Sequence, residues 1–441
     1  MSDTNQPALV STRPDVLVRL SVMMFLQFFV WGSYLVSMGK YLATHFKDDT
    51  NITGQAYGTN SIAAIISPLI VGFVADKLMP GRFALGLLHV VGGVLLYLTS
   101  KATGSADFYW LLLGYSLCYM PTLALANSVT FSQLTAAERQ FPAIRVWGTI
   151  GWIAAGWAVV YGLGPIAGAD AAGKPIDPGT TALPFQMGAA VSVVLGLYCF
   201  TLPGEAPKEK QAATLTGSLG LDALKLLGDP SFLVFAVSSM LVCIPLSIYY
   251  GWTNRYISEM GLTATETKMS FGQISEIVFM LLMPAFLSRF GVKTMLVIGM
   301  SAWFSRYFLF SSASGMSGVE SQKALMEGLL VGGILLHGIC YDFFFVTGHL
   351  YTDHKAPKEL RASAQGLIAL LTYGVGMFIG NMVGAKLEGR YKLANPAEGS
   401  PITLDWQQFW LYPALMAVGV AVLFVFLFHD NVKLGKKPTV E

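Results

Sequence analysis

Charge is what this sequence has least of. Asp, Glu, Lys and Arg supply only 12% of its 441 residues, while apolar residues supply 54%. A soluble domain is about one quarter charged, and a soluble chain this poor in charge would expose apolar surface that it could not cover. Lipid as the outer solvent removes that difficulty. Cysteine is scarce as well. Cys118, Cys199, Cys243 and Cys340 fall in apolar segments without C-x-x-C spacing, so they read as small packing residues rather than disulfides or metal ligands. A net charge of +2, with no basic run interleaved with aromatics, leaves no footprint for nucleic acid. There is no His-Glu-x-x-His, no Gly-x-Ser-x-Gly and no loop long enough for a catalytic domain. The chain therefore reads as a non-enzyme with no metal and no cofactor.

Long apolar runs are what it has in abundance. A bilayer core needs roughly 20 apolar residues per helix. Such windows fall near 16–43, 55–78, 82–100, 108–132, 142–165 and 183–202, then near 231–257, 268–290, 293–313, 325–352, 361–387 and 406–429. The first follows Arg13 but is too long for a signal-peptide core and ends without a small-x-small cleavage site, so it reads as a retained span. The fold class is an all-α integral membrane protein with twelve transmembrane helices. A polar stretch carrying Glu205, Lys208, Glu209, Lys210 and Lys225 divides them six and six. The expected units are an N-terminal bundle over 1–202, a linker over 203–230 with a short amphipathic helix near Leu219–Leu227, and a C-terminal bundle over 231–441.

Of the 28 Lys and Arg residues, sixteen fall on the side of the two termini and ten on the other, with Arg145 and Arg306 inside helices. By the positive-inside bias, both termini are cytoplasmic. The halves also echo one another. Gly72-Phe-Val-Ala-Asp76-Lys77-Leu-Met-Pro-Gly81-Arg82 joins spans 2 and 3, and Ser288-Arg289-Phe-Gly291-Val-Lys293 joins spans 8 and 9. Short basic turns containing glycine at matched places are what two pseudo-symmetric six-helix repeats leave behind. Asp76 and Arg82 are the candidate cytoplasmic gate, an ionic latch that breaks and reforms.

A charge at the bilayer centre costs at least about 2.5–3.5 kcal/mol on insertion scales, so each one needs a partner or a wet cavity. Arg145, Thr149 and Trp152 stand at i, i+4 and i+7, on one helical face. The guanidinium offers a fork of donors, and the indole a flat surface for a ring. The plainer reading is a helix-end salt bridge beside an interfacial tryptophan. Gln273 and Glu276 share a face of span 8, as solute ligands and proton carrier or as a packing hydrogen bond. In span 10, His337 and Tyr341 are one turn apart, while Asp342 points about 140° away from His337 and toward a neighbouring helix. It is the second candidate for the coupled proton. Softer stripes are Gln27, Trp31 and Tyr34 in span 1, Tyr115, Tyr119 and Thr122 in span 4, and Ser247, Tyr250 and Asn254 in span 7. Gln27, Ser247 and Tyr250 are taken from these as solute contacts. The small-x-x-x-small glycines Gly376, Gly380 and Gly384 of span 11 read as close helix contacts.

The loop signature Gly72-x-x-x-Asp76-x-x-x-x-Gly81-Arg82 resembles that of the major facilitator superfamily. Tyr119-Met-Pro-Thr-Leu-Ala-Leu-Ala-Asn127, Phe141-Pro-Ala-Ile-Arg145-Val-Trp-Gly-Thr149-Ile-Gly-Trp152, Gln273-Ile-Ser-Glu276, Tyr341-Asp342-Phe-Phe and Arg361-Ala-Ser-Ala-Gln365-Gly366 resemble the bacterial nucleoside:proton symporters over nearly the whole chain. The resemblance implies the two-bundle major facilitator fold, proton-coupled import of nucleosides across the inner (cytoplasmic) membrane, and a monomer. It implies solute-binding or coupling positions at Arg145, Thr149, Gln273, Glu276, Tyr341 and Asp342. The chain departs from that family at Tyr341, at His337 where a tyrosine stands, and at Trp152 where a smaller aromatic stands. It also carries Ser247 and Tyr250 where described members have Gln and Asn amides. The Arg145–Trp152 spacing is similar to that of sugar permeases, so a sugar or glycoside is the alternative solute.

Overall fold

A computed structural model describes residues 12–77, 79–135, 137–203, 221–394 and 402–430, and among these the chain is almost entirely helical. Span 1 runs through Pro14–Leu35 and Met38–His45, span 2 is Ile52–Lys77, span 3 Gly81–Thr99, span 4 Ser105–Gln133. Span 5 is Ala137–Trp157 with its π-helical extension Ala158–Gly162, and span 6 is Leu183–Cys199. In the second half, span 7 is Pro230–Glu259, span 10 runs from Lys323–Leu335 to Thr347–Lys355, span 11 from Arg361–Ala369 to Met377–Tyr391, and span 12 is Trp406–Leu427.

Spans 8 and 9 lie within one helical run, Thr265–Ser314, broken only at Gly291 with φ 74° and ψ 174°. That backbone is open to glycine and strained for other residues. The contacts with span 10 show that the chain reverses there. Gly272 and Ser275 pack on His337 and Gly338, so span 8 is parallel to span 10. Arg306 meets Gly333 while Gly299 meets Phe344, so span 9 is antiparallel to it. Twelve spans result, and the turn expected between Ser288 and Lys293 is where the reversal occurs.

The pairing repeats with an offset of six. In the first half span 1 packs on spans 5 and 6, and span 3 on spans 4 and 6. In the second half span 7 packs on spans 11 and 12, and span 9 on spans 10 and 12. The halves meet through spans 2 and 11, spans 5 and 8, and spans 1 and 7. Span 11 approaches span 7 at Gly380, where a Cβ would lie 2.6 Å from the Ile244 carbonyl oxygen and collide with the Ser247 hydroxyl. Between the halves, Leu221–Gly228 forms a short helix that buries Ala223 against Ala356, Ala364 and Leu367. This agrees with the amphipathic helix expected in the linker; residues 204–220 lie outside the described residues.

The two ends of the molecule differ. Span 8 is buried over most of its first two turns, Thr265 to Gly272, yet exposed around most of its circumference from Met280 to Phe290. Span 7 is buried almost throughout Leu246–Ile257. Among the described residues, the hydrogen bonds and ion pairs that join the halves all lie at the end remote from the termini: Lys40 to Thr265 and Glu266, Trp157 to Ser270, Lys392 to the Lys47 carbonyl. Gly39 belongs to the same closure, since a Cβ there would sit 2.5 Å from the Gly251 carbonyl oxygen. Among the described residues the remote end is sealed and the terminal end is open.

Candidate functional site

Between the halves is a cavity of about 390 Å³, within the range of small-molecule sites. Its lining comes from spans 1, 2, 4 and 5 and from spans 7, 8, 10 and 11, while spans 3, 6, 9 and 12 stand behind them. Gln27, Arg145, Thr149, Trp152, Tyr250, Gln273, Glu276, His337 and Tyr341 all reach it.

Packing, not hydrogen bonding, holds several of these groups in place. The guanidinium of Arg145 lies 4.1 Å over the ring of Phe28. Trp31 meets Trp152 edge to face at 5.5 Å and 85°, a favoured aromatic geometry. Tyr341 and Tyr373 share a hydroxyl contact at 2.9 Å. Tyr373 lies in the π-helical turn Leu370–Gly376 of span 11, and Asp342 opens the π turn Asp342–Val346 of span 10. Such turns change the helical phase and gather at functional sites. None of the hydrogen bonds among the described residues involves the side chains of Arg145, Thr149, Gln273 or Glu276. Glu276 is nonetheless 3.9 Å from Nε2 of His337. A fork of donors, a hydroxyl, an amide and a carboxylate therefore converge on one void without internal partners.

Two sequence expectations change. Ser247 is fully buried, donates to the Ile244 carbonyl at 2.8 Å and faces Gly380, so it belongs to the span 7–11 contact and not to the cavity. The small-residue stripe of span 11 draws span 7 close at that face and turns it away from solute. Its stripe partner Asn254 is turned to the sealed end, where its amide oxygen accepts from Thr265 at 2.8 Å. Only Tyr250 of the three lines the cavity. Asp342 is 0% exposed, outside the cavity lining, and neither of its oxygens has a hydrogen-bond partner among the described residues. It faces neighbouring helices, as the 140° offset implies. Arg82 donates to the Leu202 carbonyl at the end of span 6. The side chain of Asp76 lies outside the described residues.

Sequence reasoning named Gln27 but missed its buried partner His89, and it missed a second polar group altogether. Gln27 is a hub: its amide nitrogen donates to Thr122 at 2.7 Å, its amide oxygen meets Nε2 of His89 at 2.7 Å, and its carbonyl accepts from Tyr119. His89 is the only polar residue in the middle of span 3, which could have marked it. The second is the sealing cluster. Lys40 is 4% exposed, with Nζ 2.6 Å from Glu266, 2.8 Å from Asp177 and 2.9 Å from the Thr265 hydroxyl. In the sequence these residues stand at helix ends and in a loop, where charge is ordinary.

With this geometry in hand, comparison with known proteins is informative. The model of a family described as nucleoside H+ symporters matches residues 15–433. The Escherichia coli (strain K12) protein YegT is 40% identical over 417 residues, which cover 94% of each chain. The xanthosine permease of the same organism is 31% identical over 432 residues, 95% of this chain and 97% of its own. The crystal structure of the nucleoside transporter NupG superposes with a TM-score of 0.81 at 30% identity, covering 95% of this chain and 100% of that one.

Proposed function

The chain belongs to the nucleoside H+ symporter family, and from that premise we propose that it imports nucleosides with protons across the bacterial inner membrane by alternating access. The single observation that carries this is the central cavity, where Arg145, Thr149, Gln273 and Glu276 converge unpaired from both halves while the remote end is sealed. Polar groups that face a void without protein partners keep their donors and acceptors for a ligand, and a hydroxylated solute with an aromatic base can take them up. Arg145 and Gln273 hold it by hydrogen bonds, with Thr149, His337, Tyr341 and Gln27 at the margins. Trp152 and Tyr250 offer faces for its base.

The coupling carboxylate is Glu276, with Asp342 as its partner further from the solute. Both carboxylates lack a hydrogen-bond partner among the described residues, and Glu276 alone of the two also touches the solute space. The halves 1–202 and 231–441 rock about the cavity, linked by 203–230, and Lys40 with Glu266 and Asp177 closes the outer side. Asp76 and Arg82 serve the inner side. The termini are cytoplasmic by the Lys and Arg count, so the open end faces the cytoplasm. The protein works as a monomer in the bilayer. The family match and the paired amide and carboxylate of span 8 favour a nucleoside over a sugar.

The test is counterflow of labelled nucleoside by purified protein in liposomes, competed by uridine and adenosine and by a panel of mono- and disaccharides. Nucleosides should compete and saccharides should not; the reverse would sink the reading. Glu276→Gln should abolish proton-driven accumulation and leave exchange intact.

A further inference from the structure

We propose that Arg306 is a positioning residue for coupling: it holds His337 in the tautomer with its hydrogen on Nε2 and aims that hydrogen at Glu276. The inference rests on the reading of Glu276 as the coupling carboxylate, and extends the coupling machinery to a residue that never meets solute.

Arg306 is 0% exposed in span 9, behind the cavity. No carboxylate lies within ion-pair distance of it among the described residues. A buried cation without an anion needs a reason to be there. Its Nε donates to the Gly333 carbonyl at 3.1 Å, its guanidinium lies 4.2 Å over the ring of Tyr249, and its Nη2 is 3.2 Å from Nδ1 of His337. A guanidinium has five donors and no acceptor. Nδ1 must therefore present its lone pair, and the ring hydrogen belongs on Nε2.

The ring itself cannot turn freely. It stacks on Tyr249 at 5.5 Å and 16°, and its Cβ side packs on Gly272. Nε2 is the ring nitrogen that lies on the side of Glu276, 3.9 Å from its Oε2, a gap that a small shift of the carboxylate would close to a hydrogen bond. The ionisable groups facing His337 are Glu276 from span 8, Arg306 from span 9, Tyr249 and Tyr250 from span 7, and Tyr341 from its own span. Of these only Glu276 and Arg306 change or carry charge near neutral pH. A second proton on Nδ1 would set donor against donor and cation against cation. His337 is thus a fixed bridge: Arg306 on one nitrogen, the coupling carboxylate on the other. The bridge offers the carboxylate a donor whenever its proton leaves, with a cation one ring behind. Arg145 faces the same carboxylate from the other half, across the cavity.

The tautomer can be read by ¹⁵N magnetic resonance on histidine-labelled protein in bilayers, without solute. The chain has six histidines, and the His337 signal is the one lost in His337→Gln. Wild-type protein at neutral pH should show a bare Nδ1 and a protonated Nε2. A protonated Nδ1, or a mixture, overturns the proposal whether or not any variant folds. The second readout is the same ¹⁵N signal in two variants. In Arg306→Met the hydrogen should spread over both ring nitrogens, and in Arg306→Lys, which keeps a donor toward Nδ1, the wild-type pattern should largely return. An unchanged tautomer in folded Arg306→Met also overturns it. Neither readout needs solute, so failure of the nucleoside reading, seen as no nucleoside counterflow by wild-type protein, is a separate result.

Discussion

Replacing Lys40 by Met should tip the carrier toward the state that is open on the outer side. Among the described residues its ammonium is the only cation paired with Glu266, 2.6 Å away, and Asp177, 2.8 Å away. Lys40 and Glu266 are 4% and 3% exposed. Removing one partner of a buried ion pair costs about 3–5 kcal/mol, because the other charge is left without a match. Asp177 is half-exposed, so the Glu266 pair carries the figure, taken at its lower bound. The cost falls on the closed state alone, since opening hydrates both carboxylates. About 3 kcal/mol at 1.4 kcal/mol per decade is roughly a 100-fold shift in the ratio of the two states. Spin labels at Asn51 and Arg390, exposed on opposite halves at that end, would report the separation by pulsed electron resonance in nanodiscs. A long-distance population should appear in Lys40→Met and shrink again in Lys40→Met with Glu266→Gln, where the orphaned buried charge is gone. A folded Lys40→Met protein with the wild-type distance distribution would refute the claim that this cluster holds the closure.

Arg145→Ala should cut nucleoside affinity about 10- to 100-fold, the worth of a charged hydrogen bond, measured by calorimetry. Its thermal stability should hardly change, since among the described residues the side chain makes no hydrogen bond or ion pair and rests over Phe28. Gly380→Ala should cost about 1–3 kcal/mol by overpacking against Ile244 and Ser247, read as a lower melting temperature, whereas Gly419→Ala, with nothing within 4 Å, should not. At the terminal end, Asp229 caps span 7 through the Phe232 amide and pairs with Lys355. The amide first, then the lysine, hold its carboxyl below the usual 3.8. A carboxyl held below its ordinary value stabilises the fold above that value and ceases to as pH falls through its own. The protection factor of the amides at the start of span 7, which corrects for the intrinsic pH dependence of exchange, should therefore hold down to about pH 4 and fall below it, and Asp229→Asn should remove that step.

What could be read from sequence was what hydropathy and helical period encode. The twelve windows, the turn at Gly291 and the faces Arg145–Thr149–Trp152 and Gln273–Glu276 are local patterns, and the fold keeps them. Two things were not local. Ser247 shares a stripe with Tyr250, yet Gly380 on another span decides where the serine points. Lys40, Asp177 and Glu266 are far apart in the chain and unremarkable singly; only the pairing of spans 1 and 8 makes them a cluster. Arg306 was visible as an intramembrane charge, but its partner is the imidazole of His337, and no pattern within one helix reveals a donor presented across two.

The removal of Ser247 from the cavity has a consequence for selectivity. Span 7 contributes a ring, Tyr250, and no amide, so its share of recognition is stacking. Stacking on a base is worth about 1–3 kcal/mol and tolerates any base, because every base has a π-face. Hydrogen bonding discriminates, because a wrong partner leaves a buried group unmatched. Gln273, which has no internal hydrogen bond, is the amide on span 8 best placed to read a base edge. Tyr250→Ala should therefore weaken purine and pyrimidine nucleosides by a similar factor, about 5- to 150-fold. Gln273→Ala should change the ratio between them. Competition in counterflow with uridine, cytidine, adenosine and guanosine measures both. If Tyr250→Ala alters the ratio while Gln273→Ala leaves it intact, the ring reads the base and the amide does not, and the division of labour argued from the position of Ser247 is wrong.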